Sequence, residues 1–359
     1  MESNDPKKGR KRLAITMGDP AGIGAEISVK ALNKKDVYDA AIPIIIGDKA
    51  ALEDAVRFCY LGLKLHEIQD PSEAKGEYGT IDYINMNLLQ PGGWEYKKVS
   101  ALCGDVCFQY IEKGIALALA RKVDAVVTAP INKESLHMAG HHYSGHTEIF
   151  AEYTHTPQYA MLLASGIRTD RKLCVIHVST HVSLREACDR VKKARVEEVI
   201  RLADHAMKLL GYEHPRIAVA GLNPHCSEDG LFGHEEADEI IPAIEAMKKE
   251  GYDVEGPIPP DTVFVKAMGG AYDIVVAMYH DQGHIPLKIT GFVMNPTTGQ
   301  YTSMSGINVT IGLPVIRTSV DHGTAYGKAG EGRASEESML DAIDAAVRIA
   351  ENWERYKAN

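Results

Sequence analysis

The sequence has few of the features that mark secreted, membrane or nucleic-acid-binding proteins. It contains only six cysteines among 359 residues and no CxxC pair, which predicts reduced thiols in a cytoplasmic protein. No apolar run is long enough to span a bilayer, and the polar, basic start lacks the apolar segment of a signal peptide. The net charge of −10 argues against nucleic acid as the main partner. We therefore expect a cytoplasmic protein that acts on small molecules, with no nucleic-acid or membrane partner.

Two common phosphate-binding motifs are also absent. Residues 18–26, GDPAGIGAE, follow a short apolar run and precede a helical pattern, but their spacing matches neither the dinucleotide GxGxxG nor the P-loop. A strand, a glycine-rich turn and a helix in this order point backbone N–H groups at an anion. A tight turn that lets the helix pack closely explains the glycines equally well.

The sequence does contain a repeated alternation of apolar strands and amphipathic helices. The main strands are predicted at 13–17, 42–46, 123–128, 172–178, 216–221 and 272–278, and the main helices at 49–60, 104–121, 191–210, 235–249 and 336–356. This alternation predicts a mostly parallel sheet flanked by helices. Cys103 and Cys107 fall on one face of the helix at 104–121, where two packed core thiols are favoured over a metal pair.

Three of the predicted strands are each followed by a histidine. His181 follows the strand at 172–178, His225 follows 216–221, and His280 follows 272–278. Because the carboxyl ends of parallel strands share one edge of a sheet, these imidazoles are predicted to converge on a divalent cation. Spacing alone does not rank them above the competing histidines His146, His177, His284 and His322.

The residues after the last of these strands, 280–284, have the sequence HDQGH. Their polar character and glycine predict a turn at the strand end. Asp281 is expected either to orient the imidazole of His280 or to cap the next helix.

Anion-binding side chains surround the same region of the sequence. Lys288 and Arg317 are predicted in loops near strand ends, where a bound ligand or a solvated surface position explains the charge. Asn308, His146 and Thr147 add neutral donors. A cation that holds a hydroxyl and a carboxylate, with Lys and Arg for a phosphate, suits a phosphorylated hydroxy acid.

Several short motifs together give the chain a family resemblance. It resembles the 4-hydroxythreonine-4-phosphate dehydrogenases over nearly its whole length past the basic start. The matching segments are GHTE at 145–148, TH at 180–181, LNPH at 222–225, DT at 261–262, YHDQG at 279–283, Lys288, and the stretch from Asn308 through RTSVDHGT at 317–324.

The resemblance implies a two-lobed α/β/α sandwich of the isocitrate/isopropylmalate dehydrogenase type. A disordered basic tail is then expected at 1–12, and a first lobe on the cofactor side at 13–129 plus 318–359. A second lobe at 130–317 would carry the metal, the substrate and the dimer interface. The active site of such a protein is expected in a cleft that the two subunits of a homodimer share.

The resemblance also implies roles for individual residues. His181, His225 and His280 are expected as metal ligands, with His280 contributed by the partner subunit. The expected substrate-binding residues are His146, Thr147, Lys288, Asn308, Arg317 and, less directly, Asp261.

Residues 322–332 look like the cofactor loop of isopropylmalate dehydrogenases, which would explain a nicotinamide enzyme without GxGxxG. An ordinary glycine-rich loop before the last helix is the alternative. The cofactor-binding residues in this loop would be His322, Gly323, Thr324, Ala329, Gly330 and Gly332.

The implied reaction is an NAD- and metal-dependent oxidation followed by loss of CO₂, with NADP also open as the cofactor. Zn, Mg, Mn, Co and Ni remain open as the ion, and Lys288 and Asp261 are both candidates for the general acid or base.

The substrate prediction depends on two departures from the vitamin B6-pathway members. Residues 292–305 look inserted relative to those members, and HIP at 284–286 replaces a Leu-Pro-Val type of sequence. Both favour the branch that converts 4-phospho-D-threonate or 4-phospho-D-erythronate to dihydroxyacetone phosphate and CO₂. The alternatives are a 4-hydroxy-L-threonine 4-phosphate dehydrogenase of pyridoxal phosphate synthesis, a metal-dependent hydrolase, and a non-catalytic phosphometabolite-binding protein.

Overall fold

The structure, a computed structural model, describes residues 9–166, 168, 172–297 and 301–356. Residues 1–8 of the predicted tail lie outside this range. The rest of that tail is ordered, because Arg10 donates to the carbonyls of Tyr38 and Gly76 over 2.6 and 2.9 Å and the first strand begins at Lys11. The prediction of a disordered tail is therefore wrong for residues 9–12.

The described residues form fourteen strands. They are β1 Lys11–Thr16, β2 Ala41–Gly47, β3 Lys64–Ile68, β4 Thr80–Asn85, β5 Ala125–Thr128, β6 Ala160–Ser165, β7 Leu173–His177, β8 Ile217–Ala220, β9 Val254–Ile258, β10 Ile274–Ala277, β11 Phe292–Met294, β12 Tyr301–Met304, β13 Ile307–Ile311 and β14 Arg317–Val320. The six main strands predicted from apolar runs are present among them as β1, β2, β5, β7, β8 and β10.

The helices connect these strands. They are α1 Gly24–Ala31, α2 Lys35–Ala40, α3 Lys49–Phe58, α4 Ala101–Leu119, α5 Lys133–Met138, α6 His146–Tyr153, α7 Leu184–Arg190, α8 Lys193–Leu209, α9 Ile241–Lys249, α10 Pro260–Met268, α11 His280–Gly291 and α12 Glu337–Tyr356. A π-helical turn, Glu236–Ile240, precedes α9. None of the helices in the described residues is long and apolar enough to cross a membrane.

The chain divides into two compact units. Unit 1 holds the described residues up to Pro157 together with Leu313–Glu351. Its strands are all parallel, in the order β3-β4-β2-β1-β5-β14, and they are rich in buried Val and Ile, as parallel strands covered on both faces require. The first predicted lobe ended at residue 129, whereas unit 1 extends to Pro157, because α5 and α6 pack against α4.

Unit 2 holds residues 158–312 and the end of α12 from Asn352. Its sheet has the order β13-β6-β7-β10-β8-β9, in which β7, β10, β8 and β9 are parallel. Strand β6 runs antiparallel to both β13 and β7, so the predicted parallel sheet has an antiparallel portion. The core of this unit lies between the sheet and helices α10 and α11, and includes Leu163, Val175, Val263 and Leu287.

Helix α11 replaces the turn that was predicted at residues 280–284. It begins at His280 and continues to Gly291 with Pro286 inside it. The glycine that suggested a turn serves packing instead, because a Cβ at Gly283 would lie 2.4 Å from Nε2 of His177. The apparent insertion at 292–305 contains an antiparallel hairpin of β11 and β12, and its residues 298–300 lie outside the described residues.

All six cysteines are free, and Cys103 and Cys107 are buried on α4. The prediction of packed core thiols is therefore confirmed. Burial raises the pKa of both thiols, which keeps them protonated and unreactive.

Candidate active site

Arg317, one of the two predicted cations, is buried in unit 1. It is the first residue of β14 and only 2% of its surface is exposed, so both the loop position and the solvated alternative are wrong for it. Its Nη2 and Nε donate to Oγ1 of Thr128, at the end of β5, over 2.9 and 3.3 Å. A buried guanidinium must be matched by acceptors or by an anion, and its positive charge makes this position a candidate anion site.

His146 and Thr147 begin helix α6 in the same unit and are both buried. Burial and the positive charge of Arg317 hold the pKa of His146 well below its ordinary value, so its imidazole is neutral. Its Nε2 is buried without a hydrogen-bond partner. Burial also lowers the pKa of Arg317 to about 9, an effect that the charge of Glu148 partly offsets. Unit 1 therefore places a neutral imidazole with an unused ring nitrogen beside a buried cation.

The two glycine-rich segments of the sequence meet in unit 1. The amide of Ile23 donates to the carbonyl of Thr324 over 3.1 Å, and the hydroxyl of Tyr326 donates to Oδ2 of Asp19 over 2.7 Å. Burial raises the pKa of Asp19, whose other oxygen accepts from the amide of Ala21 over 2.8 Å. Residues 18–24 and the predicted cofactor loop at 322–332 are thus one connected structure.

Close packing accounts for most glycines in these segments. A Cβ at Gly24 would lie 2.1 Å from the carbonyl oxygen of Met17, and Gly332 has φ +71° with the carbonyl of Phe58 2.7 Å from the Cβ position. The glycines of the first segment are therefore explained by a tight turn, the less specific of the two predictions. Gly323 and Gly327 differ, because nothing lies within 4 Å of either Cβ position, which leaves room for a ligand beside the backbone.

The remaining predicted cofactor residues differ in accessibility. His322 is partly exposed, and its Nδ1 donates to the carbonyl of Gly323 over 3.0 Å. Ala329 is buried, and Tyr96 packs against the Cβ position of Gly330 at 3.1 Å. The parts of the loop that are open to a ligand therefore lie near Gly323 and Gly327.

The three histidines predicted as metal ligands all lie in unit 2, beyond adjacent parallel strands. His181 follows β7, His280 follows β10 and His225 follows β8, and these strands are neighbours in that order. The ring centroids of His181 and His280 are 5.9 Å apart. Within the described part of a single chain, no three His, Cys, Asp or Glu residues are arranged to hold a metal ion. One chain thus brings two of the three predicted ligands near each other.

In two of these imidazoles, one ring nitrogen is hydrogen-bonded to a neighbouring carboxylate. Nδ1 of His280 donates to Oδ1 of Asp281, and Nδ1 of His225 donates to Oε1 of Glu228, each over 2.7 Å. The bond to Glu228, with a smaller contribution from Asp261, raises the pKa of His225. A carboxylate on Nδ1 fixes the tautomer and leaves Nε2 as the lone-pair nitrogen, so the donor set fits a divalent cation.

His225 begins a run of five left-handed residues. The φ angles of His225, Cys226, Ser227, Glu228 and Asp229 lie between +45° and +75°, and none of the five is glycine. Such a conformation costs on the order of 1–2 kcal/mol per residue and persists only where other contacts enforce it.

Glu236 supplies part of that support. It is buried in the π-helical turn, and its Oε1 accepts from the amides of Leu222 and Asn223 over 2.8 and 2.7 Å. The strand-end segment that leads into the left-handed run is therefore anchored by a carboxylate.

The other predicted residues of unit 2 lie along helix α11 and strand β13. Lys288 is on α11 rather than in a loop, and its Nζ lies 4.6 Å from the ring centroid of Phe292. Asn308 is on β13, opposite Leu163 of β6. Asp261 is exposed in the first turn of α10.

Two competing histidines are buried beneath these residues. Burial lowers the pKa of His177 to about 4 and that of His284 to about 3. Their ring centroids are 4.9 Å apart, and His284 also stacks on His280. Both rings are therefore neutral parts of the site's support.

Several supporting residues were not identified from the sequence. Asp19 and Glu236 are buried carboxylates with no local pattern to distinguish them from surface ones. Gln282 connects two strand ends, because its Oε1 accepts from the amide of Met278 over 2.7 Å and its Nε2 donates to the carbonyl of Gly221 over 2.8 Å. Its position within the YHDQG segment was the one available signal.

Comparison with known proteins shows the family of the chain. Residues 39–346 match the family model "Pyridoxal phosphate biosynthetic protein PdxA". The chain belongs to this family. It is 49% identical over 341 residues to the D-threonate 4-phosphate dehydrogenase of Salmonella typhimurium, covering 95% of this chain and 99% of that protein. It is 47% identical over 339 residues to the enzyme of the same name from Cupriavidus necator, covering 94% and 97%.

The solved structures give the same relationship. A 4-hydroxythreonine-4-phosphate dehydrogenase from Klebsiella pneumoniae superposes with a TM-score of 0.81 at 46% identity, covering 95% of this chain and 98% of that one. The family resemblance and the α/β fold are confirmed, and the protein is an oxidoreductase.

Proposed function

We propose that the protein catalyses the metal- and NAD-dependent oxidative decarboxylation of a 4-phosphorylated hydroxy acid. The preferred substrates are 4-phospho-D-threonate and 4-phospho-D-erythronate, with dihydroxyacetone phosphate and CO₂ as products. The observation that carries the proposal is the buried Arg317 beside a neutral His146 whose buried Nε2 has no hydrogen-bond partner, because a guanidinium and an imidazole can both donate hydrogen bonds to an anionic group. The relatives named D-threonate 4-phosphate dehydrogenase, at 47–49% identity, support the substrate class.

Each set of residues has a proposed role in binding. Arg317, His146 and Thr147 bind an anionic group of the substrate by charge-assisted hydrogen bonds. His181, His225 and His280 hold the divalent cation through their Nε2 atoms. Lys288 and Asn308 contact the polar groups of the substrate, and the open backbone near Gly323, with His322 and Thr324, contacts the nicotinamide cofactor.

The reaction consists of two bond-breaking steps. When bound, the cation supplies Lewis-acid polarisation of the substrate hydroxyl, and NAD supplies the hydride acceptor. The chain's own residues must take up the hydroxyl proton as the C–H bond breaks, giving a β-keto acid. They must then return a proton to carbon after the C–C bond to the carboxylate breaks and CO₂ leaves. Lys288 and Asp261 are the two candidates for this proton transfer.

A second copy of the chain is proposed as the partner. Helix α11 carries Lys288 and two exposed apolar residues one turn apart, Ile285 and Ile289, the latter 75% exposed. The hairpin that follows exposes Val293 and Met294 as well. Large apolar side chains grouped on one element mark an interaction surface. A homodimer would cover them and would bring a second set of strand-end histidines to the site.

The 4-hydroxy-L-threonine 4-phosphate dehydrogenase is the second candidate, favoured by the name of the Klebsiella pneumoniae structure. The hairpin at the apparent insertion and His284 favour the sugar-acid branch. The hydrolase and the binding protein lose their support, because the relatives are dehydrogenases.

The test is a comparison of substrates with the purified protein. NADH formation and CO₂ release are measured on 4-phospho-D-threonate, 4-phospho-D-erythronate and 4-hydroxy-L-threonine 4-phosphate, with NAD or NADP. We expect turnover on one of the sugar acids, abolished by a chelator and restored by a divalent ion. Preference for the amino compound would reverse the substrate ranking, and chelator-resistant turnover would contradict the metal.

A further inference from the structure

Helix α11 and the residue that follows it carry a column of ring and cationic side chains. His280, His284 and Lys288 are spaced four residues apart and share one face of the helix, and Phe292, the first residue of β11, comes four residues after Lys288. We name these four residues the α11 column. The rings of His280 and His284 are stacked, with centroids 3.6 Å apart and planes 13° from parallel. At the other end of the column, Lys288 Nζ lies 4.6 Å from the centroid of the Phe292 ring.

His284 is fixed in place from two further directions. Its Nδ1 donates to the carbonyl oxygen of His280 over 2.9 Å, and its ring lies 4.9 Å from the ring of His177 at the end of β7. His177 is itself held, because its Nδ1 donates to the carbonyl of Met161 over 3.2 Å. Only 8% of His284 is exposed, so its ring cannot turn without disturbing the strand end beneath it.

The stack and the burial of His284, of which only 8% is exposed, together determine which of the two histidines can bind a cation. A ring nitrogen directs its lone pair within the plane of its ring. The planes of His280 and His284 are nearly parallel, so their lone pairs do not converge on one ion. Because Nδ1 of His280 is held by Asp281 over 2.7 Å, its Nε2 is the nitrogen that remains for a ligand. His284 therefore supports a ligand rather than being a second one.

We propose that His284 is a positioning residue for the cation site. By stacking on His280 and hydrogen-bonding to its backbone, it fixes the plane in which the Nε2 lone pair of His280 points. The inference rests on the proposed role of His280 as a metal ligand and extends it to a residue that touches neither the substrate nor the ion. An aliphatic side chain at position 284 fills the space but offers neither a flat face nor an N–H donor.

The experiment measures ion binding by the full-length, metal-free protein without substrate or NAD. Co²⁺ binding is followed by calorimetry and by the visible absorption of the bound ion, which reports ligand geometry. The variants are His284→Leu, which removes both the stack and the donor, His284→Phe, which keeps a flat ring, and His284→Asn, which keeps an N–H donor. His205→Leu, a partly buried histidine of α8 outside the column, is the matched control, and circular dichroism checks folding.

We expect His284→Leu to weaken Co²⁺ binding by roughly 10- to 100-fold, the usual effect of removing a residue that orients a ligand, and to change the absorption spectrum. His284→Phe should retain more affinity than His284→Leu, and His205→Leu should bind as the wild type does. Wild-type affinity and spectrum in His284→Leu would overturn the proposal. If that variant does not fold, wild-type binding by His284→Asn would overturn it as well, because that variant lacks the ring.

His280→Ala separates this inference from the proposed metal site. Strong loss of Co²⁺ in His280→Ala with unchanged binding in His284→Leu removes only the positioning role. Unchanged binding in His280→Ala shows that the ligand assignment itself is wrong, which overturns both.

Discussion

Two groups of proposed binding residues differ in burial. One group, in unit 1, is proposed to bind an anion, and the other, in unit 2, is proposed to bind the cation. Arg317, His146 and Thr147 are buried, and Arg317 is already hydrogen-bonded. His181 and His225 are exposed, and three ligating groups do not gather in the described residues of one chain. The burial of the first group does not depend on a partner. The second group requires an ion to bring its imidazoles to one point. We propose that it also requires a second subunit.

The largest effect should come from the buried cation of unit 1. Arg317→Met keeps much of the side-chain volume but removes the charge and all hydrogen-bond donors. Truncating one member of a buried, charge-assisted pair costs about 2–5 kcal/mol, so kcat/KM should fall by roughly 10³-fold. The proposed dimer should persist in size-exclusion chromatography, because Arg317 is buried within unit 1 of a single chain. A fall of less than tenfold would show that Arg317 serves the fold rather than the substrate.

An intermediate effect is expected from the exposed surface of unit 2. Ile289→Asp places a charge on the apolar face of α11, where burial against a partner would leave it unpaired at a cost of several kcal/mol. The variant should elute as a monomer at concentrations where we expect the wild type to elute as the proposed dimer, and its activity should recover in part at high protein concentration.

Tyr60→Asp is the matched control for this substitution, because Tyr60 is an exposed aromatic residue of unit 1. Its oligomeric state and activity should stay unchanged. A fully active monomeric Ile289→Asp protein would contradict a shared active site.

The smallest effect concerns pH and the neutral His146. The folded-state pKa of this residue lies well below its unfolded value, so the unfolded chain takes up a proton first as the pH falls. Its contribution to stability is therefore complete above pH of about 6.5 and declines below it, by at most about 1.4 kcal/mol per pH unit. Urea unfolding midpoints should fall between about pH 7 and pH 5.5 less steeply in His146→Gln than in the wild type.

The exposed His142 of the same unit provides the control for the pH experiment. His142→Gln should keep the wild-type pH dependence if the buried His146 is the cause of that dependence. Parallel slopes for His146→Gln and the wild type would mean that His146 is protonated or solvated in the folded protein.

Local sequence patterns predicted the strands whose positions depend mainly on runs of apolar residues. Apolar runs located β1, β2, β5, β7, β8 and β10, and the shared edge of parallel strands predicted that the histidines after β7, β10 and β8 would follow neighbouring strands. The direction of β6 could not be predicted, because pairing with β13 depends on residues about 145 positions away. Arg317 was misplaced because charge predicts exposure unless the partners are known.

Local sequence patterns gave wrong predictions for residues whose role is in tertiary packing. Gly283 and Pro286 are typical of a turn, yet Gly283 is present because His177 leaves no space for a side chain. Asp19 and Glu236 are indistinguishable in sequence from solvated carboxylates, and only the fold shows that they connect loops. The sequence thus predicts the histidines proposed to perform chemistry better than the residues that hold them.

The left-handed run that begins at His225 should make hydrogen exchange in this loop sensitive to ion binding. Five L-residues in this conformation should open often by local unfolding, since the turn is unfavourable and largely exposed to water. Their amide hydrogens should then exchange quickly in the metal-free protein and slow markedly when Nε2 of His225 binds an ion. Deuterium uptake across residues 225–229 would therefore show cation binding at His225 directly, before any substrate is turned over.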